Sequence, residues 1–176
     1  IARRSVWTLI CHIKDGLFSP YGYEIGFGAG EELPPVIIEL NGGGKLVLNG
    51  KIDRVDYYDK DGVRYVKVID YKTGVKTFSL KDIYYGLQLQ LIFYMDCVLK
   101  NLNKEGIKAL PGGMFYYRVS DPTIRTDGDL SKEDIERLLS GEFKMSGLML
   151  EDKNVYKALD VNNHNDSDIV PLGLNK

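Results

Sequence analysis

Two apolar runs joined by a short charged turn constrain the fold of this chain more than any other feature. Residues 45–58 and 63–71 carry the β-branched and aromatic residues that are typical of strands. Between them, residues 59–62 read Asp-Lys-Asp-Gly, which is typical of a hairpin turn. The pattern therefore predicts an antiparallel β-hairpin near the middle of the 176-residue chain.

Acidic residues on this hairpin predict a metal site. If the turn is centred between residues 60 and 61, Asp53 lies opposite Val68, and Asp70 is its diagonal neighbour on the same face. Lys72 projects from that face too. Two carboxylates can hold Mg²⁺ or Mn²⁺, and a lysine can orient the bound water or stabilise charge on a phosphate. A register shift of one residue would move Asp53 to the other face, and an exposed hairpin with scattered charges is the alternative.

The remaining segments predict an α/β (α+β) fold with a central mixed β-sheet flanked by helices. The spacing of apolar residues predicts helices over 3–14, 79–105 and 131–139, strands over 36–40 and 113–119, and a loop over 15–35. Length and an apolar fraction of 44% indicate one domain, placed at residues 1–160. Residues 161–176 are polar and predict a flexible C-terminal tail, in a chain that is expected to be a fragment of a longer protein.

The longest predicted helix brings two further polar residues to one face. Ser79 and Asp82 form an acidic variant of the capping box at its start. Gln90 and Tyr94 are four residues apart, so they share a helix face close to the hairpin. They could contact a phosphate backbone or orient the hairpin lysine. The alternative is a core tyrosine beside a partly buried amide.

Charge and cysteine content narrow the function classes. The net charge is −2 and the pI about 5.7, so no whole-molecule field attracts nucleic acid, although a local basic patch could do so. Cys11 and Cys97 fit no CxxC pattern and suit a reducing compartment. No apolar run approaches the ~18 residues of a membrane span. A cytoplasmic protein without membrane contact is therefore expected.

Three consecutive motifs resemble those of a nuclease family. They read GKIDRVD at 50–56, VIDYKTG at 68–74 and YYGLQLQLIFY at 84–94. Their order and spacing resemble the RecB-type branch of the PD-(D/E)xK nucleases and, within it, the AddB-type helicase–nuclease subunits. The resemblance is strong over residues 46–96. It implies a restriction-endonuclease-like core and a deoxyribonuclease, expected to act as an exonuclease, that hydrolyses DNA with Mg²⁺ or Mn²⁺.

The resemblance implies roles for the hairpin residues. Asp53 and Asp70 would bind the metal, and the backbone carbonyl of Tyr71 would often complete the metal shell. Lys72 would be the catalytic lysine.

It also implies roles outside the hairpin. Gln90 and Tyr94 would match the Q-x-x-x-Y motif of RecB-type nucleases. Such enzymes often add an upstream acid or histidine, for which Glu24 is the first candidate and His12 the second. Residues that could guide phosphates or stack on bases are Arg54, Lys72, Lys76, Lys81, Arg118, Arg125, Tyr84, Tyr85, Tyr116 and Tyr117, although solvated charges and core aromatics are the alternatives.

Partners follow from the same resemblance. The domain would cut a single DNA strand delivered by a helicase, together with an AddA-type helicase–nuclease subunit, in double-strand-break repair and recombination. AddB-type proteins typically hold an iron–sulfur cluster through one cysteine before the domain and three after it. Cys11 and Cys97 do not match that arrangement, so the cluster is expected in the full-length protein and not in this fragment. A DNA-binding or subunit-docking module without cleavage, and a Cas4-like exonuclease, stay open as alternatives.

Overall fold

The computed structural model describes residues 2–74, 76–119, 122, 128–162, 167 and 169–171. In chain order the elements are α1 (Ala2–Lys14), β1 (Ser19–Phe27), β2 (Val36–Glu39), β3 (Lys45–Leu48), β4 (Gly50–Lys60), β5 (Val63–Lys72), α2 (Leu80–Tyr84), α3 (Gln90–Lys104), β6 (Ala109–Arg118), α4 (Lys132–Glu142), β7 (Ser146–Met149) and α5 (Lys153–Leu159). A mixed central sheet flanked by helices confirms the predicted fold class. Within the described residues, no helix is both long and apolar enough to cross a membrane.

The central sheet has the strand order β1-β4-β5-β6-β7, and β2 pairs with β3 in a separate small sheet. β4 is antiparallel to β1 and β5, whereas β5 and β6 run parallel. Two parallel neighbours need a crossover connection, which α2 and α3 supply here. The crossover brings the start of α3 to the end of β5, where the second acidic motif lies.

The sheet separates two hydrophobic cores. Val66 and Val68 of β5 belong to the core that includes α3, whereas Tyr65 and Ile69 belong to the core that includes α5. Side chains alternate along a strand, so Asp70 projects to the side of Val68. We call the two sides of the sheet the α3 face and the α5 face. The α5 face also receives α1, since the Tyr117 hydroxyl donates to the Ser5 carbonyl at 2.9 Å.

The hairpin turn lies one residue later than the sequence predicted. Lys60 pairs with Val63, so the two turn residues are Asp61 and Gly62. Their φ angles are 52° and 74°. Two central residues with positive φ indicate a type I′ turn, which the Asp-Gly sequence favours because its backbone twist matches that of the strands.

The later turn changes which residues face each other. Val68 pairs with Val55 rather than with Asp53. Arg54 is paired with Ile69, and continuing that register by one step sets Asp53 directly opposite Asp70. The predicted diagonal arrangement is therefore wrong, but the two carboxylates still share a face because the register differs by two residues.

Residues 15–35, predicted as a loop, contain strand β1. Pro20, Gly22 and Gly26 disfavour a strand, so the sequence pattern did not predict β1. β1 lies at the edge of the sheet, where proline is tolerated. Residues 45–58 also differ from the prediction of one strand, since β3 and β4 belong to different sheets.

The helix predicted over 79–105 is interrupted. The Ser79 hydroxyl accepts from the Asp82 amide at 3.2 Å, as the capping pattern predicts, but α2 ends at Tyr84. Gly86 then adopts a φ of 76°, a left-handed conformation that stops a helix. α3 starts afresh at Gln90, so the motif residue is the first residue of a helix.

The predicted flexible tail contributes to the core where the structure describes it. Ser167, Ile169 and Val170 are buried, and the Met145 amide donates to the Ile169 carbonyl at 2.7 Å. The Ser167 hydroxyl donates to Asp160 Oδ2 at 2.9 Å. For these three residues the prediction of a flexible tail is wrong, because two apolar side chains among the polar ones pack on the α5 face. Residues 163–166, 168 and 172–176 lie outside the described residues.

Candidate metal centre

Two carboxylates lie at the point where β4 begins and β5 ends. Asp53 is half-buried, and its Oδ2 accepts a hydrogen bond from the Tyr71 backbone N–H at 2.7 Å. Asp70 exposes only 1% of its surface. The backbone of one strand therefore orients the carboxylate of the other, so the pair is fixed by the sheet itself rather than by loops.

Asp70 is electrostatically unusual. Burial raises its pKa above the ordinary value, and the charge of Asp53 acts in the same direction, whereas the Lys72 ammonium opposes both. Lys72 Nζ lies 2.5 Å from Asp70 Oδ2. Among the described residues, that buried oxygen otherwise has no hydrogen-bond partner. A buried acceptor that lacks well-aligned donors is suited to an ion or an ordered water.

α3 orients the lysine. Lys72 Nζ donates to Gln90 Oε1 at 3.2 Å, and Gln90 Nε2 donates to the Tyr94 hydroxyl at 2.7 Å. Burial raises the pKa of Tyr94, and its hydrogen bond with Gln90 opposes that shift. Asp70, Lys72, Gln90 and Tyr94 thus form a continuous chain of polar contacts on the α3 face.

The donor set fits a hard divalent cation. Asp53 and Asp70 offer carboxylate oxygens, the ligands that Mg²⁺ and Mn²⁺ prefer. Among the described residues, no cluster of three or more histidine, cysteine, aspartate and glutamate side chains could complete a cage. A site with two protein carboxylates keeps coordination positions for water and a phosphate oxygen, as phosphoryl chemistry requires.

The two upstream candidates make contacts of their own. Glu24 lies on β1 beside the part of β4 that carries Asp53, has a φ of 54°, and its exposed carboxylate lies 3.4 Å from Lys51 Nζ. His12 packs edge-on against Tyr117, at a ring-centroid distance of 5.9 Å, on the α5 face. The sheet therefore separates His12 from Asp53 and Asp70.

Tyr116 also lies beside the site, although it belongs to none of the three sequence motifs. It pairs with Asp70 across the β5–β6 ladder, and its buried hydroxyl has no hydrogen-bond partner among the described residues. The ammonium groups of Lys72 and Lys76 lie 5.7 Å and 5.2 Å from its ring centroid. Strand alternation in 113–119 predicts that residues 116 and 118 share a face of the sheet, but it does not predict which face.

The other candidates for contacting DNA differ in their exposure to solvent, and two of them are buried. Arg54 is 2% exposed and lies on the α5 face, so it cannot guide phosphates as expected, and Tyr117 is fully buried. Tyr84 and Tyr85 are 84% and 65% exposed. Arg125 lies outside the described residues.

Comparison with known proteins agrees with this geometry. The family model of the PD-(D/E)XK nuclease superfamily matches residues 1–166. The chain belongs to this superfamily. The three residues that the sequence motifs single out, Asp53, Asp70 and Lys72, lie within the matched range.

Several relatives of this PD-(D/E)XK chain are named as the B subunit of an ATP-dependent helicase/deoxyribonuclease. Those of Alkaliphilus metalliredigens and Alkaliphilus oremlandii are 46% and 45% identical over 178 and 177 residues. One from Clostridium botulinum (strain Langeland) is 43% identical over 177 residues. Each alignment covers 100% of this chain and 15% of the relative, so the chain spans about 15% of the length of the curated relatives it matches.

Proposed function

We propose that this chain is the nuclease domain of an AddAB-type helicase–nuclease, in which it hydrolyses phosphodiester bonds of a DNA single strand with Mg²⁺ or Mn²⁺. The observation that carries the proposal is a set of contacts at one site: Asp53 with the Tyr71 backbone, and Lys72 with both Asp70 and Gln90. Superfamily membership and the name of the relatives support it.

Each residue has a role in the proposed mechanism. Asp53 and Asp70 would hold the metal, and the Tyr71 carbonyl would supply a further oxygen ligand. The chemistry gained there would be Lewis acidity and a lower pKa for a bound water. Lys72 exchanges its contact with Asp70 for the phosphate oxygens, where negative charge develops as the water oxygen bonds to phosphorus and the bond to the leaving oxygen breaks.

Gln90 and Tyr94 act on Lys72 rather than on the phosphate. The Gln90 amide oxygen holds the ammonium from α3, and Tyr94 fixes the orientation of the amide. Lysine has a flexible stem, so a positioned acceptor reduces the conformational entropy that would otherwise be lost in the transition state.

The path of the DNA is proposed from exposed and half-buried groups beside the site. Lys76 lies over the Tyr116 ring, and Arg118 pairs with Lys72 across the β5–β6 ladder, so both can contact phosphates. Tyr84 and Tyr85 lie on the connection that leads into Gln90, with ring centroids 5.2 Å apart. Exposed aromatic rings beside a cationic site suit stacking on unpaired bases.

Partners are proposed from the name of the relatives. Because those relatives are subunits of a helicase/deoxyribonuclease, we infer an AddA-type partner, which would deliver the DNA strand in the cytoplasm. An iron–sulfur cluster is proposed only for the longer protein, because Cys97 is buried and its thiol donates to the Pro34 carbonyl at 3.4 Å, as a packed core residue does. Cys11 lies on α1, within the domain rather than before it.

The test is cleavage of a labelled single strand with Mn²⁺ by the wild type, Asp70→Ala and Lys72→Ala. Lys100→Ala is the matched control, since that lysine is exposed and paired with Asp96 on α3. We expect cleavage by the wild type and the control alone. Equal cleavage by all four would refute the site, and tight DNA binding without any cleavage would instead support a binding module.

A further inference from the structure

Three charged side chains on the α5 face of the hairpin are almost fully buried. Arg54, Asp56 and Lys67 are 2%, 0% and 4% exposed. Arg54 donates to both Asp56 oxygens, at 2.6 Å and 2.8 Å, and Lys67 Nζ lies 3.0 Å from Asp56 Oδ2. We call these residues the buried triad. Apolar side chains of similar volume would fill the space with less desolvation, so stability alone does not account for the triad.

The buried triad distinguishes between the two registers that the hairpin could adopt. In the observed register, Asp56 pairs with Lys67 across the strands. If the turn lay one residue earlier, Lys67 would face Arg54, and two buried cations would oppose each other. The hydrophobic pattern cannot make this distinction, because a shift of two residues in pairing leaves every side chain on its own face.

The register selected by the triad is also the register that builds the metal centre. It sets Asp53 opposite Asp70, whereas the earlier turn would set Asp53 opposite Val68. Tyr71 connects the two faces of the sheet. Its backbone N–H donates to Asp53 Oδ2 at 2.7 Å, and its side chain interacts electrostatically with Arg54 on the α5 face.

We propose that Arg54, Asp56 and Lys67 are positioning residues that lock β4 and β5 in the register in which Asp53 and Asp70 face each other. Two carboxylates directly opposite each other repel, so the metal-free hairpin needs a compensating preference for this register. The triad supplies that preference from the opposite face, without touching metal or DNA. The metal-binding part of this inference rests on the proposed function, whereas the register can be measured without metal.

The discriminating variant is Lys67→Met. It removes the link between the strands but leaves the Arg54–Asp56 pair intact and electrically balanced, and methionine replaces most of the lysine stem. The matched control is Arg64→Met. It removes an exposed cross-strand ion pair of the same hairpin, in which Arg64 donates to the two Asp59 oxygens at 2.7 Å and 2.8 Å. The two variants change net charge equally and differ in whether the lost pair is buried.

The readouts are hydrogen exchange of the Tyr71 amide in the metal-free chain and Mn²⁺ affinity by calorimetry. For Lys67→Met we expect exchange about tenfold faster and Mn²⁺ binding about tenfold weaker, the size of coupling found between members of one contact network. For Arg64→Met both should stay within about twofold. Wild-type values of both in Lys67→Met would overturn the proposal.

A triple variant, Arg54→Met with Asp56→Leu and Lys67→Met, separates positioning from stability. An apolar replacement of a buried ion network often folds at least as stably. We expect an unchanged or higher Tm together with the same losses in amide protection and metal affinity. A stable triple variant with wild-type exchange would refute the lock. If wild type itself binds no Mn²⁺, the proposed nuclease site fails, while the exchange rates still decide the register question.

Discussion

Replacing Gln90 with methionine should slow DNA cleavage without weakening metal binding. Gln90 accepts from Lys72 Nζ at 3.2 Å and donates to the Tyr94 hydroxyl at 2.7 Å. Methionine has nearly the same length but offers neither group. Lys72 then loses its tether to α3, whereas Asp53 keeps its bond from the Tyr71 amide.

The magnitude follows from the freedom that Lys72 regains. A lysine side chain carries about 2 kcal/mol of rotamer entropy. The contact with Asp70 still restrains part of it, so fixing Lys72 again in the transition state costs about 1.4–2 kcal/mol, and each 1.36 kcal/mol is tenfold in rate. Cleavage should therefore slow about ten- to thirtyfold. The loss of two partly buried hydrogen bonds should also lower the free energy of unfolding by about 1–2 kcal/mol.

The assay is single-turnover cleavage of an end-labelled single strand at saturating Mn²⁺, at a temperature where both proteins are folded. Tyr94→Phe is the graded comparison, since it removes only the far end of the contact chain, and we expect a loss of about threefold. Cleavage by Gln90→Met at the wild-type rate would refute the positioning role. A fall in Mn²⁺ affinity as large as the fall in rate would do so as well.

Three further outcomes are expected. Lys72→Ala should abolish cleavage yet tighten Mn²⁺ binding about fivefold. The Lys72 ammonium lies 2.5 Å from Asp70 Oδ2 and opposes the binding of a second cation there by about 1 kcal/mol. An unchanged Mn²⁺ affinity in calorimetry would contradict this. Asp70→Asn should stabilise the metal-free chain at neutral pH. Because the pKa of Asp70 is raised in the folded state, the stability of the wild type falls as pH rises from the ordinary pKa of 3.8 through the raised pKa. Over that pH range the Tm of the wild type should fall relative to that of the variant, and it should not recover at higher pH. Ile169→Ala should lower the free energy of unfolding by about 2–4 kcal/mol in denaturant titration, whereas Val161→Ala, at a position 47% exposed, should change it by less than about 0.5 kcal/mol.

The sequence predicted the hairpin, the faces of its acidic residues and the Gln90–Tyr94 helix face, because each depends on local periodicity. Strand alternation determines that Asp53 and Asp70 lie on one face of the hairpin, and helical spacing determines that Gln90 and Tyr94 lie on one face of the helix. The resemblance rested on the residues and spacing of the three motifs, and it predicted the superfamily that the comparison confirms.

Other features depended on interactions that a pattern does not contain. The strand register follows from a turn at Asp61 and Gly62, whose positive φ angles are not contained in the hydrophobic pattern. The break before α3 depends on the conformation of a single residue, Gly86. Strand β1 was not predicted because its one proline and two glycines disfavour a strand, and the burial of Ile169 depends on packing against the α5 face of the sheet.

The most direct test of the central claim is the location of Mn²⁺ in crystals of the chain, by anomalous scattering. We expect one strong peak on the α3 face, within coordination distance of about 2.2 Å of oxygens from both Asp53 and Asp70. The peak should disappear in Asp70→Asn, while Asp96→Asn, an exposed change on α3, should retain it. A peak bound by Glu24 without either aspartate, or none between Asp53 and Asp70 at saturating Mn²⁺, would contradict the account.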